Sequence, residues 1–250
     1  MSENDPRDPH GRARRSLLKA AAAGAVAGPW AFAKAHDMKG MAPAAAGPGA
    51  TTAAESAAPA PVYTFLNVQE IAFLEAALDT LIPADESGPG ALEVGVLVFM
   101  DRQLGGEFGR GDRLYLQGPF AEGTPEQGYQ LRMTPAELVQ AGIADVNAYT
   151  RSTYQERFEG LQPAERVTVL AGLEQRHIEL PTVPGAVFFE MLLELTQQGF
   201  FSDPIYGGNR GKASWRMIGY PGLPATYAKA IKDHRGRRYE AEPRSIADFL

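Results

Sequence analysis

Four histidines, His10, His36, His177 and His234, and a complete lack of cysteine confine the chemistry open to this 250-residue chain. Without thiols there is no internal disulfide framework, no thiolate-ligated iron–sulfur cluster, no c-type haem attached through C-x-x-C-H and no cysteine-rich zinc site. A di-iron helical bundle needs two Glu-x-x-His pairs and two further glutamates. The chain has one such pair, Glu174 and His177, and one pair reads as the solvated face of a helix. His36, Met38 and Met41 bring together ligand types that suit copper, but they fall in a stretch of small residues with no further ordered ligand.

Acid–base chemistry would have to come from carboxylates. Asp79, Asp85, Glu86, Asp101 and Asp203 could converge as a glycosidase-like pair, yet nothing in their spacing selects two of them. Asp79 and Asp101 lie within helical apolar patterns. Asp85 and Glu86 follow Pro83 in a turn, where caps and turn hydrogen bonds are the commoner use of such side chains. No Gly-x-Ser-x-Gly nucleophile elbow occurs. Gly88-Pro89-Gly90 and Gly207-Gly208-Asn209-Arg210-Gly211 lack both the spacing of a dinucleotide fingerprint and the Lys-Ser/Thr of a phosphate loop. The expectation is a chain with no catalytic, cofactor-binding or metal residues of its own.

The elements around these residues begin with an address. Arg14-Arg15-Ser16-Leu17-Leu18-Lys19 precedes an Ala/Gly/Val-rich run from Ala20 to Ala27, then Pro29 and the small-residue triplets Ala31-Phe32-Ala33 and Ala33-Lys34-Ala35. Paired arginines, two leucines and a lysine before a short apolar run predict a twin-arginine signal over residues 1–35, with Arg14, Arg15, Leu17, Leu18 and Lys19 as its recognition residues. The run is too short to span a membrane, which takes about 20 apolar residues. Residues 36–61 are almost entirely Ala, Gly, Pro, Thr and Ser and read as a flexible linker. Removing the six basic and three acidic residues of the signal from the 24 and 30 of the whole chain leaves a formal charge of −9. Such a surface disfavours nucleic acid and anionic lipid, so membrane association is expected only through partners.

Residues 62–250 predict one all-α domain, irregular and with long loops. Asn67-Val68-Gln69-Glu70 has the form of a capping box, and Ile71, Leu74, Leu78 and Leu81 follow at helical spacing up to Pro83. Val94, Leu97, Val98, Asp101 and Leu104 share one face of a second helix, and residues 105–128 read as a long surface excursion. Thr134-Pro135-Ala136-Glu137 opens a helix to about Phe158, and Gln162-Pro163-Ala164-Glu165 opens another carrying Val167, Leu170 and Leu173. A fifth is predicted from Pro184 to Gln198, ending on Gly199 as its C′ glycine. From Gly199 to Gly222 the chain is rich in aromatics and turn formers without a period, so it either wraps back on its own core or offers aromatic anchors to a partner. Residues 223–250 look extended and polar, with Ile246, Phe249 and Leu250 able to dock on another surface.

Leu81-Ile82-Pro83-Ala84-Asp85 with Gly90-Ala91, and above all the run from Gly199 through Phe200, Phe201, Asp203, Pro204, Tyr206, Gly207 and Gly208 to Asn209, followed by Trp215 and by Gly219, Tyr220, Pro221 and Gly222, resemble the small-subunit family of gluconate 2-dehydrogenase. The resemblance covers about residues 63–222. It implies a three-part complex: a flavin-containing large subunit that oxidises D-gluconate to 2-keto-D-gluconate, a multihaem cytochrome c that passes electrons to quinone, and this non-catalytic small subunit. FAD and haem c would then reside in the partners. The twin-arginine translocase, which carries folded proteins, would deliver the assembly to the periplasm, beside the inner membrane. Phe200 to Asn209 with Trp215 and the Gly219–Gly222 turn would be a structural or interface element. A free-standing periplasmic helical enzyme or metal-binding protein is the alternative; a buried carboxylate cluster around His177 would favour it, and exposed apolar surface near residues 200–220 the first reading.

Overall fold

Asn67 starts the first helix, α1 (Val68–Leu81), by accepting from the Gln69 and Glu70 amides at 2.9 and 3.0 Å, while Glu70 returns a carboxylate to the Asn67 N–H at 2.9 Å. The computed structural model describes residues 61–121, 123–124, 129–223 and 226–250, so the export segment with Arg14, Arg15, Leu17, Leu18 and Lys19, and the linker to residue 60, lie outside the described residues. Seven more α-helices follow: α2 (Val96–Gly105), α3 (Glu107–Arg110), α4 (Pro135–Tyr154), α5 (Pro163–Glu174), α6 (Gly185–Phe201), α7 (Ala213–Ile218) and α8 (Ala228–Asp233). No strand forms among the described residues; only two isolated bridges pair extended backbone, Asp85 with Gly88 and Gly222 with Arg244. The domain is all-α.

The capping devices read in the sequence work as expected. Thr134 and Glu137 exchange side-chain and backbone bonds at the start of α4, and at the start of α5 the Gln162 N–H donates to Glu165 Oε2 at 2.9 Å. Helix α6 is the centre of the core. It packs on α1, α2, α4 and α5, burying Phe188, Phe189, Leu192, Leu193, Leu195 and Phe200. Phe73 of α1 meets the Phe158 ring at 4.6 Å between centroids and Phe188 at 6.2 Å, tilted contacts that add about 0.5–1.5 kcal/mol each to area burial.

Several boundaries differ from the predicted ones, each for a packing reason. Helix α4 ends at Tyr154, with Gln155 left-handed at φ 62°, because the chain must double back to seat Phe158 in the core; the Phe158 N–H then donates to Asn147 Oδ1 at 3.0 Å. On α5 it is Val169, with Leu170 and Leu173, that is buried, and Val167 is only half-buried. Helix α6 runs through Gly199 to Phe201. Gly199 is there for closeness rather than for termination: a Cβ on it would stand 2.8 Å from Phe99 Cδ1 and 2.9 Å from Val96 Cγ1, so its missing side chain lets α2 approach α6. The excursion after Gly105 contains α3, and the tail after residue 223 contains α8 and a 3₁₀ turn at Ile246–Phe249 instead of remaining extended throughout.

Two buried aspartates tie loops to helices. Asp101, 2% exposed on α2, receives the Thr64 amide and hydroxyl on Oδ2 at 2.9 and 3.1 Å and the Phe65 and Leu66 amides on Oδ1 at 2.9 Å each. Asp145 on α4 receives the Thr182 amide and hydroxyl at 2.8 and 3.0 Å and the Val183 amide at 3.3 Å, just before α6 begins. Burial alone would raise the Asp101 pKa, but the backbone donors and the Thr64 hydroxyl outweigh it and hold the carboxyl below its usual value. Asp101→Asn should therefore lower the unfolding free energy by about 2–3 kcal/mol at neutral pH, measured by urea denaturation. Because the folded-state pKa is depressed, this stabilisation is present above the unfolded value of about 4 and is lost as pH falls through the folded one, so the gap between wild type and variant should close in acid. A gap independent of pH would contradict the assignment.

Candidate functional site

Helix α6 stops at Phe201 without a left-handed glycine, so its last carbonyls need partners from elsewhere. Residues 202–215 supply them side chain by side chain. Ser202 Oγ donates to Gly199 O at 3.1 Å, the Trp215 indole N–H to Phe201 O at 2.8 Å, and Asn209 Nδ2 to Ser202 O at 2.9 Å. Ser214 Oγ lies 2.5 Å from Phe200 O and 2.6 Å from Asn209 Oδ1, donating its single proton to one of them at a time. Asn209 is fully buried and left-handed at φ 45°, a conformation asparagine tolerates, and its Oδ1 also accepts the Ser214 amide at 3.0 Å. Gly208 sits against the helix end so tightly that a Cβ there would lie 2.1 Å from Gly199 O.

Asp203 extends this cap in two directions. Its Oδ1 accepts the Ile205 N–H at 3.1 Å, starting the 3₁₀ turn Pro204–Tyr206, and its Oδ2 accepts the Ile246 N–H at 2.8 Å, bringing the C-terminal tail onto the module. The tail is further held where Leu223 N–H donates to Arg244 O and Arg244 N–H to Pro221 O, and by ion pairs of Lys212 with Asp248 and Arg216 with Glu242. The Arg244 guanidinium lies 4.3 Å from the centre of the Phe249 ring, while Leu250 is fully solvated.

The predicted motif thus divides between inside and outside. Phe200, Gly208, Asn209, Trp215 and Gly222 are buried; Asp203, Pro204, Gly207 and Pro221 are half-buried; Phe201, Tyr206, Gly219 and Tyr220 are exposed. Trp215 packs its edge on Tyr220 at 5.1 Å and is a core residue of the cap, not an outward anchor. Phe201, Ile205, Tyr206, Met217, Ile218 and Tyr220 leave between 37% and 56% of their surface in solvent. That is a large apolar content for one short module.

The carboxylates considered for catalysis have separate local roles. Asp79 and Glu86 are exposed, Asp85 holds a turn through the Ser87 amide at 2.7 Å, Asp101 anchors residues 64–66, and Asp203 organises the cap. His177 is exposed at the end of α5, its amide bonded to Gly172 O. Among the described residues no three His, Asp or Glu side chains gather as a metal site, and no helix is long and apolar enough to cross a membrane. The groups whose pKa moves do so away from neutrality. Asp101 and Asp248 go down, the latter chiefly through its hydrogen bond from Lys212; burial raises Tyr63, Tyr154 and Tyr227 and pushes Tyr129 up to about 12. Asp145 and Ser214, both central to the architecture, were not singled out by sequence reasoning; an aspartate inside an otherwise apolar helical stripe was the available signal for the first.

Fold and site together define a helical domain organised around a buried polar cap with apolar groups outside it. The family model described as gluconate 2-dehydrogenase subunit 3 matches residues 68–222, from the first turn of α1 to the glycine that closes the cap module, and the chain belongs to that family. It is a small subunit of a complex of that kind. No curated protein and no solved structure matches the chain.

Asn209→Gly keeps the left-handed backbone available but removes the amide that joins Ser202 O to Ser214. It should cost about 2–3 kcal/mol in urea denaturation, well beyond the roughly 0.5–1 kcal/mol of added chain freedom. A loss confined to that smaller figure would show that the cap does not depend on this side chain.

Proposed function

We propose that this chain is the non-catalytic small subunit of a periplasmic, membrane-associated, FAD-dependent complex of the gluconate 2-dehydrogenase type, which oxidises D-gluconate to 2-keto-D-gluconate and delivers electrons through a multihaem cytochrome c to quinone. In this reading the chain supports assembly of the flavoprotein and its export by the twin-arginine route. FAD and haem c belong to the partner subunits; with no cysteine, this chain cannot attach a c-type haem covalently.

The observation that carries the reading is the cap module. It lies within the family-matched region, is held rigidly by buried polar bonds, and turns Phe201, Tyr206, Ile218 and Tyr220 outward. Aromatic groups on a preorganised support are the usual anchors of protein interfaces, because little side-chain freedom remains to be lost on binding. The signal Arg14-Arg15-Ser16-Leu17-Leu18-Lys19 supports the export part, since a translocase that accepts folded cargo suits a flavoprotein assembled before transport.

Affinity purification of the tagged chain, with visible spectra and mass spectrometry, should recover a flavoprotein and a c-type cytochrome. Tyr206→Ser with Ile218→Ser, both at exposed positions, should leave the helical circular dichroism unchanged and lower the flavoprotein yield; full yield would count against the interface. Replacing Arg14 and Arg15 by Lys should retain both this chain and the flavoprotein in the cytoplasm. A flavoprotein that still reaches the periplasm in that strain would sink the export role.

A further inference from the structure

Two arginines face a cleft of about 310 Å³ between α2 and the cap module. Arg102, one residue beyond the Asp101 anchor, runs over Gly207, where a Cβ would stand 3.2 Å from its Nη1. Arg210 reaches over Gly95, where a Cβ would stand 3.5 Å from its Nη2, and its backbone N–H is fixed to Val94 O at 2.8 Å. The remaining wall is Pro61, Val62 and Val98 with the backbone of Pro204, Gly207, Gly208 and Gly211; no carboxylate lines it.

Arg110, Arg157, Lys212, Arg216, Lys229 and Arg238 pair with carboxylates. Arg102 and Arg210, like several other surface arginines, pair with none among the described residues; what sets these two apart is that they share one cleft. Arg102 Nη1 approaches only Ile205 O, at 3.4 Å, which is long for a hydrogen bond. Two like charges turned toward one concave site repel, an effect that solvent tempers because both side chains are exposed. An oxyanion relieves both at once, since a guanidinium presents a planar fork that fits carboxylate or phosphate oxygens. Glycines at 207 and 211, at φ 106° and 64°, keep this wall free of side chains.

We propose that Arg102 and Arg210 form an oxyanion-binding site at the seam between α2 and the cap module, taking a phosphate or carboxylate group. The source is either a free ion or an acidic side chain of a bound subunit. The cleft is at the small end of ligand pockets and suits one anionic group rather than a nucleotide. Binding of a free ion does not depend on the accessory-subunit reading, because both arginines belong to this chain; occupation by a subunit's carboxylate rests on that reading.

The test is calorimetric titration of the full chain with inorganic phosphate at constant ionic strength, sodium chloride making up the balance, together with thermal unfolding in the same buffers. The expected result is saturable binding and a rise in Tm, weakened about tenfold or more in Arg102→Gln and in Arg210→Gln, and unchanged in Lys229→Gln on α8. Arg102→Lys, which keeps the charge and loses the fork, should bind at an intermediate strength and guards against a variant that fails to fold. Phosphate acting no differently from chloride on the wild-type chain, or a loss shared equally by Lys229→Gln, would overturn the site. Binding that persists in the purified complex assigns the group to a free ion; binding by the free chain that disappears in the complex assigns it to a partner's carboxylate.

Discussion

The unfinished end of α6 is the constraint on which the C-terminal third of the fold rests. A helix buried in the core cannot leave its last carbonyls unpaired, because each would cost about 1–3 kcal/mol. Here no glycine closes the helix in the left-handed manner, and the chain continues instead into residues that return two hydroxyls, an indole and an amide to the four oxygens from Gly199 to Ser202. Asn209 and Ser214 are committed to that task, and Phe201, Tyr206 and Ile218, which flank them in sequence, are left facing outward. The exposed aromatics are therefore a by-product of how a helix is ended, and their spacing is as rigid as the cap beneath them.

A second theme is the use of buried aspartate to hold backbone in place. Asp101 and Asp145 occupy apolar helical faces, where a carboxylate would be prohibitively placed unless it met several donors. Each meets a hydroxyl and backbone amides from a loop that has just arrived at the core, and each thereby fixes where the next helix starts: residues 64–66 before α1, residues 182–183 before α6. The acidic groups are spent on positioning backbone.

Much of this was legible in the sequence. Local codes such as Asn67 with Glu70, Thr134-Pro135 with Glu137, and Gln162-Pro163 with Glu165 act within a few residues, and the structure starts its helices on them. What failed was long-range. Gly199 followed a helical run and had the form of a terminator; only the position of Phe99 and Val96 on another helix shows that it is a contact residue. Helix α4 stops four residues short of its predicted end because Phe158 is needed against Phe73, a demand that no local pattern expresses. The division of the motif into buried Trp215 and exposed Tyr220, which touch edge to edge, likewise depends on which side of the cap each falls.

The clasp between Asp203 and the Ile246 amide joins positions 43 residues apart and lies outside the helical core, whose elements α1 to α6 and cap bonds are complete by Trp215. The contacts that hold the tail, from Asp203, Lys212, Arg216 and Pro221, are polar, so releasing it would break these bonds while leaving the apolar contacts of the core in place. Asp203 would then lose the Ile246 N–H and keep the Ile205 one, so the 3₁₀ turn it starts can outlast the clasp it closes.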